Sequence, residues 1–276
     1  MSSSLPQILS DSRNGKIHSI FANSFNIVFD DELVNINRKE NQLSSFGINI
    51  SGREMDAILA SIAIGDLVKI HNAALRIYPT YGSVLEIETS GLEILDLSLR
   101  PVRVTALRLG VIRSVLELPG IYEHIGLART HEEQKNLDDL VSSNPISPVF
   151  LSACRYLIGR GEGLTPSGDD ILMGFFMMQN LFSFRFELDE SMLVFIRQKT
   201  TDISFAYLKS LNNGYVSEYY QDFCQAASQD NLNGLKMSVE KIKSIGSTSG
   251  FDSLLGMNLG VRRISEGLGY SYSVDK

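Results

Sequence analysis

Lys16 to Phe29 reads KIHSIFANSFNIVF, an alternating run rich in isoleucine, phenylalanine and valine. Alternation with a period of two puts successive side chains on opposite faces of a strand. The acidic turn Asp30-Asp31-Glu32 interrupts the run, and Leu33-Val34-Asn35-Ile36 resumes it. Further along, Asp66 to Ile70 and Ala74 to Tyr78 read as two strands around the turn His71-Asn72-Ala73. Val84 to Ile87 and Leu92 to Leu97 read as another pair, joined through Thr89-Ser90-Gly91. Short strands separated by turn residues predict a small β-barrel or sandwich-like region, closed by Pro101.

Beyond Pro101 the period lengthens. Arg103 to Leu116, Glu132 to Val141, Val149 to Ile158, Asp170 to Phe184, Glu190 to Lys209, Glu218 to Ala227 and Leu232 to Ser244 have helical spacing. The cluster Ser142-Ser143-Asn144-Pro145-Ile146-Ser147-Pro148 reads as a turn. The chain is therefore expected to be α+β. A β-rich domain is expected over residues 1–100, and a mainly α-helical domain carrying a glycine-rich loop over 101–276.

The 276 residues suffice for a core without disulfides or a structural metal. A net charge of −7 argues against nucleic-acid binding, which needs clustered positive charge. Cys154 and Cys224 lie far apart inside apolar segments and read as buried free thiols. The most apolar stretch, Ile171 to Phe186, is short for a membrane span and contains Gln179, Asn180 and Arg185, so a buried helix is expected. The N-terminus has no basic region followed by an apolar run, so no signal peptide is expected and the cytoplasm is the expected compartment.

The chemistry is expected in the loop Gly159-Arg160-Gly161-Glu162-Gly163-Leu164-Thr165-Pro166-Ser167-Gly168-Asp169-Asp170. Glycines let backbone approach a ligand closely. Ser167 followed three residues later by Asp170 reads as a capping-box variant, with Ser167 as N-cap. Asp169, Asp170 and nearby Glu162 would repel a naked phosphate. A phosphate with a divalent cation, a hydroxylated ligand, or a ligand with N–H donors such as a carbamoyl group fits better. Arg160 suits a carboxylate or phosphate. Acidic residues in a first helical turn also stabilise the macrodipole with no ligand at all.

The turn recurs. Ser167-Gly168-Asp169-Asp170-Ile171-Leu172-Met173-Gly174 and Ser249-Gly250-Phe251-Asp252-Ser253-Leu254-Leu255-Gly256 share the pattern Ser-Gly-x-Asp-x-Leu-x-Gly at an offset of 82. Two helix N-termini are expected to point into one pocket, with pseudo-twofold symmetry. The candidate substrate-binding residues are Arg160, Gly161, Glu162, Gly163, Thr165, Ser167, Gly168, Asp169, Asp170, Thr248, Ser249, Gly250 and Asp252. No metal site is assigned, although Asp169 and Asp170 could hold Mg²⁺. Thr201 and Ser204 could line the same pocket. Asp170 is expected to be the more structural aspartate, through a return bond to Ser167, and Asp169 the freer to meet ligand. His18, His71, His124 and His131 lack metal spacing and read as surface or turn residues, and no nucleophile-plus-base motif occurs.

The string Gly161-Glu162-Gly163-Leu164-Thr165-Pro166-Ser167-Gly168-Asp169-Asp170, with the later Gly246-Ser247-Thr248-Ser249-Gly250, resembles the AllH-like family. Its best-understood type is a subunit of bacterial oxamate carbamoyltransferase in allantoin degradation. The resemblance implies a multisubunit transferase with FdrA-like partners, converting oxalurate and phosphate to oxamate and carbamoyl phosphate. It assigns no catalytic residue. Two alternatives stand beside it: a metabolite-binding or regulatory subunit, and a stand-alone Mg-dependent enzyme acting on a phosphorylated or carboxylated ligand.

Overall fold

The computed structural model describes residues 1–10, 12–144, 147–184 and 188–267. Pro145 and Ile146 of the turn cluster, and Arg185 and Phe186 of the apolar stretch, lie outside the described residues. The chain is α+β and forms two compact units. One comprises residues 1–98 with 215–218, the other residues 99–214 with 219–276.

The first unit is built on one sheet that curls as a half-barrel, with strand order β4-β3-β2-β1-β5-β6-β7. The expected run Lys16 to Phe29 folds as the antiparallel hairpin β1 (Asn14–Ile20) and β2 (Ser24–Phe29). β3 (Glu32–Arg38) continues it antiparallel, and β4 (Gly47–Ile50) lies parallel to β3. On the other side come β5 (Leu67–His71), β6 (Ala74–Tyr78) and β7 (Leu85–Glu88). Asn72 and Ala73 have φ of 51° and 56°, the left-handed pair that a two-residue hairpin turn requires. One face of the sheet buries Ile17, Phe25, Ile27, Ile36, Val68 and Ile77. Two helices of this unit, α1 (Pro6–Ser10) and α2 (Gly52–Leu59), were not anticipated from sequence. The signal for α2 is plain in retrospect: Ser51 and Glu54 form a reciprocal capping box.

Leu92 to Leu97 is not a strand. Leu95 makes an isolated bridge with Ser2, and the Asp96 carboxylate turns the chain by accepting the Ser98 N–H at 3.0 Å. Asp66 fastens the loops before β5 and after β6. It is buried and accepts the N–H groups of Ala63 at 2.7 Å and Thr80 at 3.0 Å, and the Thr80 hydroxyl at 2.8 Å. Burial alone would push this carboxyl up, but the three hydrogen bonds hold it below the usual carboxylate value.

The second unit is helical: α3 (Ala106–Leu116), α4 (His131–Ser142), α5 (Pro148–Leu157), α6 (Ser167–Leu181), α7 (Glu190–Lys199), α8 (Asp202–Asn212), α9 (Glu218–Ser228, whose first residue belongs to the other unit), α10 (Leu232–Lys243) and α11 (Ser249–Gly267). The expected single helix over Glu190 to Lys209 is two. Thr200 is extended, and the Thr201 hydroxyl caps α8 by accepting the Ser204 N–H at 3.0 Å. Every residue of α6 is buried, as its all-round apolar sequence requires. Cys154 and Cys224 are free and buried, and burial pushes both thiols up to about 12. Among the described residues no helix is long and apolar enough to cross a membrane.

Candidate functional site

The two Ser-Gly-x-Asp turns open α6 and α11, and these helices cross at glycine. A Cβ on Gly174 would stand 2.1 Å from the Ser253 carbonyl oxygen, and one on Gly256 would stand 1.9 Å from that of Ile171. The two contacts are reciprocal, because residues 171 and 253 are related by the same offset of 82 as the glycines. Only glycine lets the backbones approach so closely.

Each helix is also the second arm of a hairpin. A Cβ on Gly168 would lie 2.0 Å from the Leu157 carbonyl of α5, and one on Gly250 would lie 2.0 Å from the Ile242 carbonyl of α10. The Gly168 N–H donates to Arg160 O at 2.8 Å and the Gly250 N–H to Ile245 O at 3.0 Å. The hairpins differ in loop length: eight positions separate Arg160 from Gly168, and five separate Ile245 from Gly250. The longer loop holds Gly161 and Gly163 at φ of 115° and 93°.

The expected capping box at Ser167 does not form. Pro166 is the N-cap of α6, Ser167 lies in the first turn, and no side chain caps the helix. The serines and aspartates are instead exchanged between the helices. The hydroxyls of Ser249 and Thr165 face Asp170, while those of Ser167 and Thr248 face Asp252. Thr165 Oγ1 and Ser249 Oγ are 3.0 Å apart. A further element joins from the α3–α4 connection: the Gly126 N–H donates to Asp252 Oδ1 at 3.0 Å. A Cβ on Gly126 would meet Ser167 Oγ at 2.1 Å and Thr248 Oγ1 at 3.0 Å, so glycine is needed there too.

Asp170 is 7% exposed and Asp252 fully buried, yet Asp170 Oδ2 and Asp252 Oδ2 have no hydrogen-bond partner. Burial pushes the Asp170 carboxyl well above its usual value, and the neighbouring Asp252 charge adds to the effect against the hydroxyls of Ser249 and Thr165. Burial likewise pushes Asp252 up to about 6, against the Gly126 N–H and the hydroxyls of Ser167 and Thr248. Beneath the pair, the buried Tyr220 hydroxyl and Ser253 Oγ are hydrogen-bonded at 2.8 Å. Burial raises the Tyr220 pKa, and the charges of Asp170 and Asp252 raise it further.

Asp169 points elsewhere, and the roles expected of the adjacent aspartates are reversed. Asp169 accepts the Gly159 N–H at 2.8 Å, the Ser204 hydroxyl at 2.7 Å and the Thr200 hydroxyl. It is the structural residue, tying the loop to the start of α8. Burial raises its pKa, and these three bonds oppose the shift. Asp170 is the one with an oxygen to spare.

Of the remaining expected residues, Gly161, Glu162 and Gly163 are exposed in the loop, and Thr165, Thr248 and Ser249 are half-buried at the crossing. Gly168 and Gly250 serve packing. Arg160 lies with its guanidinium 3.8 Å from the centre of the Tyr156 ring and 3.4 Å from Glu133 Oε1, so it is turned back on its own neighbours. The Thr201 hydroxyl donates to Leu164 O, and Ser204 serves Asp169, so neither adds to the Asp170–Asp252 pair. Gly126, Thr200 and Tyr220 escaped sequence reading. His124 is exposed, as expected, and stacks on Phe251 with ring centroids 4.7 Å apart. Among the described residues no group of three or more histidine, cysteine, aspartate or glutamate side chains is placed to hold a metal ion.

Fold and geometry thus define an α+β protein whose candidate site is two exchanged Ser–Asp pairs at crossed helix N-termini. Residues 157–261 match the family described as oxamate carbamoyltransferase subunit AllH, and residues 1–94 match the AllH family N-terminal domain. The chain belongs to the AllH family, which is named for a subunit of oxamate carbamoyltransferase. No solved structure matches it.

Proposed function

We propose that this chain works, with FdrA-like and other subunits, as the part of a cytoplasmic carbamoyltransferase that holds the small anionic substrate, converting oxalurate and phosphate to oxamate and carbamoyl phosphate. The observation that carries this beyond family membership is the pair of unpartnered oxygens, Asp170 Oδ2 and Asp252 Oδ2, in the first turns of helices that follow exposed glycine turns. A carbamoyl group supplies N–H donors for such acceptors. The positive ends of the two helix dipoles favour negative charge developing on the carbamoyl oxygen. Positioning and electrostatics would then do most of the catalysis, with no covalent intermediate required.

The test is formation of carbamoyl phosphate and oxamate from oxalurate and phosphate, measured on the purified chain alone and reassembled with its partner subunits. Activity is expected in the assembly and should fall about a hundredfold in Asp170→Asn. An assembly fully active with both Asp170→Asn and Asp252→Asn would make this chain a binding subunit and place the chemistry elsewhere.

A further inference from the structure

The Asp170–Asp252 pair is arranged as a cation receptor. Two carboxylates are buried together, each with one oxygen lacking a donor. The groups acting most strongly on them are hydroxyls, one backbone N–H and acidic neighbours, with no lysine, arginine or histidine among them. Taking even one unpaired carboxylate out of water costs several kcal/mol. A second like charge beside it adds to that cost. The surrounding side-chain hydroxyls belong to Thr165, Ser249, Ser167 and Thr248. Carboxylate and hydroxyl oxygens, without nitrogen or sulfur, are the ligand set of a hard cation.

We propose that Asp170 and Asp252 jointly bind one divalent cation of the Mg²⁺ class through their Oδ2 atoms, leaving its outer positions to water and to a substrate phosphate. Mg²⁺ is commonly held by one or two carboxylates together with a substrate phosphate, so a third acidic ligand is not required. Gly126 packs directly on Ser167 and Thr248, and its lack of a side chain is what lets the α3–α4 connection reach Asp252. The cation removes the repulsion that two aspartates would otherwise exert on a phosphate. The cation site rests on these residues alone, whereas the identity of the phosphate as substrate rests on the carbamoyl-transfer reading.

The full chain, stripped of metal by a chelator, is titrated with Mn²⁺ and the free ion is followed by electron paramagnetic resonance. One Mn²⁺ per chain is expected, displaced by Mg²⁺. Its affinity should fall at least about tenfold in Asp170→Asn and in Asp252→Asn. It should not change in Glu240→Gln, which alters an exposed α10 residue outside the candidate site. Circular dichroism establishes that each variant is folded. Failure of the wild-type chain to bind Mn²⁺ saturably, or binding that survives Asp252→Asn in a folded chain, overturns the site. Orthophosphate is then added. Tighter Mn²⁺ binding is expected, and its absence with the cation still bound would leave the cation site standing and count against the phosphate-transfer reading.

Discussion

Asp66 in the sheet unit and the Asp170–Asp252 pair in the helical unit are similarly buried, but the chain treats them in opposite ways. Asp66 receives three donors from two loops and is held as a carboxylate. The pair keeps an unbonded oxygen on each side chain, and burial raises both pKa values. A carboxylate that only holds structure is saturated by the chain itself. The pair is also faced by donors, the Gly126 N–H and four hydroxyls, but each side chain keeps one oxygen that none of them reaches, within a frame that needs glycine at positions 174 and 256. Asp169, although it adjoins Asp170 in sequence, resembles Asp66 in accepting from three donors, while burial raises its pKa as it does for the pair.

The sharpest way to break the comparison is to remove each carboxylate and measure stability by urea unfolding. Asp66→Ala strands two backbone N–H groups and should cost about 3 kcal/mol. Asp169→Ala strands one backbone N–H and two hydroxyls that can rotate to other acceptors, and should cost about 2 kcal/mol. Ser167→Ala and Ser249→Ala should cost about 1 kcal/mol each and match one another, because the exchange between helices is reciprocal. Unequal losses would show that the pseudo-twofold is not energetic. Asp252→Asn, without added cation, should leave the midpoint unchanged or raise it, since it removes one charge from a buried like-charged pair. A loss as large as that of Asp66→Ala would place the pair among the structural carboxylates.

Acid unfolding sharpens the same contrast. The Asp66 pKa is lowered in the folded state, so its contribution is fully present above the ordinary carboxylate value. It is lost as pH falls through that value towards the lowered one. Asp66→Asn should therefore flatten the acid limb of a stability-against-pH curve, measured by thermal melts in steps below about pH 5.

How much of this could be read from sequence depended on how local the cause was. Alternation over Lys16 to Phe29 marks strand but not the turn at Phe21-Ala22-Asn23 that splits it into a hairpin, and the apolar surround of Ile171 to Leu181 marks a buried helix. Both follow from period alone. The break at Thr200-Thr201 was missed because apolar spacing continues through it, although the threonines themselves carry the cap signal. At the site, the repeat of Ser-Gly-x-Asp pointed to two helix starts converging. The partners of each aspartate were misjudged because Ser167 and Asp170 satisfy a local rule, whereas the chain pairs Ser167 with Asp252 across 85 positions. Gly126 was invisible because its clash is with side chains more than 40 positions later.

During synthesis α6 is finished well before the partner that completes it. Ser249, whose hydroxyl faces Asp170, is added 79 residues after it, a delay of roughly 4–16 s at about 5–20 residues per second. Until then the first hairpin carries a mostly apolar helix that lacks its α11 partner and has an aspartate at its start. Docking of α11 closes a long loop, buries that helix and withdraws two carboxylates from water in one event. The exposed stage of folding therefore lasts until α11 has been made and docked.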